Sequence, residues 1–153
     1  MSDPRATLAA LGLTLPPVTA PLAAYLPAVR TGNHVYVSGQ LPMVDGKLEV
    51  TGKVGAEVDP ELAKQLAARC ALNALAAIDN LVGLDKVVRV VKVVGFVASA
   101  PGFTGQPGVI NGASEFFTQI FGEQGRHARS AVGVAELPRG TPVEVEVIVE
   151  VAA

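Results

Sequence analysis

Arg126-His127-Ala128-Arg129-Ser130-Ala131-Val132-Gly133-Val134-Ala135-Glu136-Leu137-Pro138 decides how this chain is read, together with Val143-Glu144-Val145-Glu146-Val147-Ile148-Val149-Glu150-Val151 just after it. The first stretch reads as a strand of small residues with an arginine at its mouth and a Leu-Pro turn at its end. The second alternates strictly. Side chains on a strand point to opposite faces in turn, so the valines share one face and Glu144, Glu146, Ile148 and Glu150 the other. A guanidinium that stays charged, set on a stiff sheet, suits recognition of a small organic acid. The same arginine could instead pair with a strand glutamate.

Outward from this core, the other elements follow from local chemistry. Asp59-Pro60 is a helix start, with aspartate as N-cap and proline in the first turn. Apolar residues Ala67, Ala71, Ala74, Leu75, Ile78, Leu81 and Val82 then recur at three- and four-residue spacing, and Gly83 ends the helix. Val87 to Ala98 is a valine-rich strand. Pro107 opens a second helix with Ile110, Ala113, Phe117, Ile120 and Phe121 inward, and Gly122 closes it. Ala28-Val29-Arg30 and His34 to Gln40 form a hairpin around Thr31-Gly32-Asn33. A short strand is expected around Lys47 to Val50, after the Asp45-Gly46 turn. Asp3 to Leu13 reads as a short helix, and Pro16, Pro17 and Pro21 keep Thr14 to Leu22 extended.

Composition narrows the options. The chain has 153 residues, half of them apolar and 17% charged. One domain, 1–153, is expected, with an N-terminal arm over 1–24 and a core over 25–153. Its mean hydropathy of +0.41 exceeds what so small a body buries, so association with further copies is expected. A net charge of −2 offers no footprint for a polyanion, so no nucleic-acid partner is expected. The lone Cys70 and two histidines give no disulfide framework and no metal-ligand spacing. Neither a secretory leader nor a bilayer span is read, and a cytoplasmic, reducing location is expected. Glycines 102, 105, 108 and 112 do not follow the spacing of a dinucleotide fingerprint.

Three blocks resemble the RidA/YjgF family, also known as endoribonuclease L-PSP. They are Tyr25 with Gly32-Asn33-His34-Val35-Tyr36-Val37-Ser38-Gly39-Gln40-Leu41-Pro42; Val109-Ile110-Asn111 with Glu115-Phe116-Phe117; and Arg129-Ser130 with Val134 to Pro138 and the alternating final strand. The resemblance runs from about Tyr25 to Val151. It implies an α+β, chorismate-mutase-like fold, a mixed sheet with two helices on one face, assembled as a homotrimer with clefts between subunits. It also implies hydrolysis of reactive 2-imino or enamine acids to 2-oxo acids and ammonia, with no cofactor and no metal.

By the same resemblance, Arg129 holds the substrate carboxylate and Glu144 holds or activates water. Tyr25, Ser38, Gly39 and Asn111 line the pocket. Alternatives are a strand-end turn at Ser38-Gly39, local capping by Asn111, and a solvated charge at Glu144, whose pKa burial would raise and an arginine would lower. Arg126 and His127 read as a solvated cationic loop. If Leu137 to Pro142 closes an ordinary hairpin, Arg129 falls opposite Glu150, too far from Glu144 for a shared site in one chain. Ala131 replaces the family's frequent cysteine, Ala23-Ala24 its usual Gly-Pro, and the N-terminus is longer, so the substrate is left open. A non-catalytic sensor of small carboxylates is the main alternative function, and an endoribonuclease the third.

Overall fold

The computed structural model describes residues 3–18, 21 and 23–153. Helix α1 (Pro4–Ala10) is capped by Asp3, whose side chain accepts from the Arg5 N–H. The extended reading of Thr14 to Leu22 includes Thr19, Ala20 and Leu22, which lie outside the described residues. Strands β1 (Ala28–Thr31) and β2 (His34–Gln40) make the expected hairpin. Helix α2 (Pro60–Val82) starts on the Asp59 cap, which accepts from the Glu61 N–H, and stops at Gly83. Strand β3 (Val87–Ala98), helix α3 (Gln106–Phe121), strand β4 (Ala128–Val134) and strand β5 (Val143–Val151) complete the order.

The five strands form one mixed sheet in the order β1-β2-β5-β3-β4. Only β3 and β4 run parallel, joined by α3 as crossover. This overturns the hairpin between the last two strands. Strand β5 slots between β2 and β3, and Arg129 lies beside Val93 rather than opposite Glu150. The physical reason is burial. Every valine of β5 at an odd position is buried, which a central strand under a helix layer provides. Strand β4 is half exposed and rich in small residues, as befits an edge.

Helix α2 covers β5 and β2, and α3 covers β3 and β4, on the same face. The opposite face carries Glu144, Glu146 and Ile148, with Tyr36 and Val132 among its exposed apolar neighbours. Two local expectations fail. Lys47 to Val50 is not a strand; the Asp45-Gly46 turn closes only the isolated bridge between Val44 and Lys47. Leu81 is 43% exposed: it falls on the outer side of the last turn of α2, while Val82 beside it packs on the core.

The two long helices touch through small residues. Ala63, Ala67, Ala71 and Ala74 of α2 are fully buried, and Gly112 of α3 lies against the Lys64 carbonyl. A methyl group at 112 would overlap that backbone oxygen. Replacing Gly112 by valine should therefore destabilise the protein by about 1–3 kcal/mol, through forced separation of the helices. Urea denaturation checks this; an unchanged midpoint would contradict the close approach.

Candidate functional site

Two clusters of polar groups lie at opposite sides of the sheet. The first is built on the start of β4. The Arg129 Nη1 donates to Asn111 Oδ1 at 2.8 Å and to Ser114 Oγ at 3.2 Å. Asn111 and Ser114 are three residues apart on α3, so both reach the same side of that helix. Asn111 thus serves the arginine rather than capping its own helix. The salt-bridge alternative for Arg129 fails too: among the described residues, no carboxylate oxygen lies within 4.0 Å of its guanidinium. A half-buried cation held only by neutral groups keeps its charge available.

His127 extends this cluster. Its Nδ1 is 2.6 Å from the Gly125 carbonyl and its Nε2 is 2.9 Å from Ser114 Oγ. The carbonyl only accepts, so Nδ1 carries the hydrogen, and a neutral ring then accepts from the serine hydroxyl through Nε2. Burial lowers the His127 pKa; the Gly125 carbonyl raises it, and the Arg129 charge lowers it again. The ring also stands edge-on to Phe117, centroids 6.1 Å apart. The solvated cationic loop expected here is therefore corrected at His127, which is half-buried and neutral, while Arg126 is exposed and pairs with Glu123 at 3.7 Å. Ser114 belongs to no motif in the sequence. Its signal was the i, i+3 spacing from Asn111, which is visible only once α3 is known to cover β4.

The second cluster sits where β2 meets β5. The register of that pair shifts between Val37 and Gln40, a bulge that turns Gly39 toward Glu144. A methyl group at position 39 would overlap the Glu144 carboxylate, so glycine is what lets the acid lie against the backbone. Burial raises the Glu144 pKa, and Glu146 on the same face raises it further. That settles the direction the sequence left open. Ser38 Oγ donates to the Leu26 carbonyl at 2.6 Å, and the Ser38 N–H to that of Pro27 at 2.9 Å. Ser38 thus pins the segment carrying Tyr25, which is 58% exposed.

Tyr25, Ser38 and Gly39 line a pocket of about 440 Å³ between α2 and the N-terminal arm. Arg129 is not part of it. The row Arg129, Val93, Val147, Val37 crosses the sheet, so Arg129 lies three strand spacings from β2, roughly 14 Å. Arg129 also points to the helix side, beside buried Val93, whereas Glu144 alternates with buried Val143 and Val145 and faces the other way. One chain gathers Tyr25, Ser38 and Gly39 around the pocket and sets Glu144 against Gly39 outside its lining, and it separately pairs Arg129 with Asn111. It does not join the two sets. Among the described residues no three of His, Cys, Asp and Glu gather as metal ligands would.

Comparison with known proteins agrees with this architecture. The model of the endoribonuclease L-PSP family matches residues 17–151. The chain belongs to that family, the YjgF/RidA group. It is 45% identical over 147 residues to protein TCP17 of Trypanosoma cruzi, covering 95% of this chain and 92% of that one. It is 35% identical over 138 residues to a 2-iminobutanoate/2-iminopropanoate deaminase of Dermatophagoides farinae, covering 90% and 93%. The crystal structure of Atu1372 from Agrobacterium tumefaciens superposes with a TM-score of 0.90 at 49% identity, covering 97% of this chain and 92% of that one.

The raised Glu144 pKa has a sign that can be checked. A folded-state value above the ordinary 4.5 means that the group favours folding fully below about 4.5, and that this is lost as pH rises through the folded value. Glu144→Gln should therefore melt at a higher temperature than the parent at pH 7. The gap should close as pH falls toward 4.5. His127 runs oppositely: its contribution is complete above 6.5 and is lost as pH falls through its lowered value, so His127→Gln should flatten the acid side of the melting profile.

Proposed function

We propose that this protein hydrolyses reactive 2-imino acids to 2-oxo acids and ammonia, at sites shared between copies of the chain in a homotrimer. The observation that carries this reading is Arg129, a guanidinium steered by Asn111 and Ser114 and, among the described residues, without an acid partner. Such a group takes a substrate carboxylate in a two-pronged, charge-assisted pair. The separation of Arg129 from Tyr25, Gly39 and Glu144 supports a second copy as the source of the missing half. The apolar residues exposed on the open sheet face give that copy a surface to cover. The deaminase named among the relatives supports the reaction class.

The chemistry asks for modest help. Water adds to the C=N carbon while the imine nitrogen gains a proton. The resulting carbinolamine loses ammonia as its hydroxyl becomes the new carbonyl. Glu144, with its pKa raised by burial, is suited to take the water's proton and hand it to nitrogen. Tyr25 and the Gly39 backbone wall the cleft, and Ser38 fixes Tyr25 by pinning the chain beside it. No cofactor or metal enters this scheme, and the substrate is the one small-molecule partner it requires.

The test is ammonia release from 2-imino acids generated in situ by an amino-acid oxidase. Arg129→Ala should lower kcat/KM about 10- to 100-fold, the equivalent of one charged hydrogen-bonded pair. Glu144→Gln should lower kcat by roughly a hundredfold, as loss of a general acid–base group does. Analytical ultracentrifugation of the unmodified protein should give three chains. Saturable binding of 2-oxo acids without any acceleration of ammonia release would instead define a carboxylate-binding protein. The ribonuclease activity in the family's name finds little support in a chain with a net charge of −2.

A further inference from the structure

The pocket behind Tyr25 and Gly39 is much larger than the side chain of a four-carbon imino acid needs. At about 440 Å³ it falls in the range that holds ligands of drug size. Its walls are about evenly polar and apolar, with Pro16 and Pro17 of the arm and Ala76 and Ala77 of α2 supplying apolar surface. Among its described lining residues the cation is Arg69, which is half-buried.

Arg69 is only partly engaged. Its Nε donates to the Met43 carbonyl at 3.0 Å, and Asn73, one helical turn on, donates to the same carbonyl at 3.1 Å. The two terminal nitrogens of Arg69 have no acceptor among the described residues, and no carboxylate oxygen lies within 4.0 Å of them. Asn73 cannot add a donor for an anion. Its N–H groups are given to the Leu41 and Met43 carbonyls, and its Oδ1 is sealed from solvent without a partner. Recognition of an anionic end therefore falls to the Arg69 fork, whose planar shape matches a carboxylate. Asp45 lines the same pocket. With one positive and one negative side chain present, a singly charged carboxylate suits the pocket better than a dianionic phosphate.

We propose that this pocket receives the side chain of the substrate and that Arg69 reads a carboxylate at its far end. The preferred substrates are then 2-imino acids with acidic side chains, and Arg69 is a specificity residue. This inference rests on the hydrolase reading for its reaction, but on the pocket alone for its selectivity.

The experiment separates the two. Calorimetry compares 2-oxoglutarate with 2-oxopentanoate, which has a side chain of similar length and no second charge. Wild-type protein should bind 2-oxoglutarate at least about tenfold more tightly. Arg69→Gln should erase that ratio, and Arg69→Lys, which keeps the charge but not the fork, should keep part of it. The same ratio is then read in kcat/KM for the imino acids made from glutamate and norvaline. Equal affinity for the two oxo acids in the wild type, or a preference untouched in both variants, overturns the proposal even if imines are hydrolysed. A preference abolished by Arg69→Gln in a protein that releases no ammonia upholds the pocket and overturns the hydrolase.

Discussion

The structure depends on the burial of one face of β5. Val143, Val145, Val147, Val149 and Val151 need cover on one side and hydrogen-bonded strands on both flanks. That requirement puts β5 at the centre, draws α2 across it, and leaves β4 at the edge with its arginine beneath α3. The acidic residues of β5 then face away from the helices. Both polar clusters owe their separation to this single placement.

Much of this arrangement is written locally. The Asp59-Pro60 start and Gly83 stop bound α2 because capping and backbone freedom act within a turn. Val87 to Ala98 is a strand because so many β-branched residues pack well on a pleated surface. What is not written locally is which strands become neighbours. A Leu-Pro turn between two strands suggests a hairpin, yet the crossover through α3 commits β4 to run parallel with β3, and β3 keeps its other flank for β5. Register between distant segments is a property of the whole core, which short-range spacing does not encode.

The same division applies to the candidate site. Motif alone marks Arg129, Asn111, Tyr25, Ser38, Gly39 and Glu144, while their environments come from packing. His127 looked solvated in sequence, but Phe117 and Ser114 approach it from α3. Arg69 carries no sequence signal of its own, because the pocket it lines is closed by an arm some fifty residues away in the chain. The direction of the Glu144 pKa was likewise undecidable without knowing which charges surround it.

The contact between Gly39 and Glu144 carries a consequence for how this protein can change over time. With the carboxylate occupying the volume where a side chain would begin, position 39 does not drift unless the acid moves aside. A larger residue at 39 becomes acceptable only after the acid shortens or retreats, so the path runs through intermediates that lose the acid's placement before anything replaces it. Mutational history at these two sites should therefore be correlated, and the bulge in β2 should persist for as long as the glutamate does.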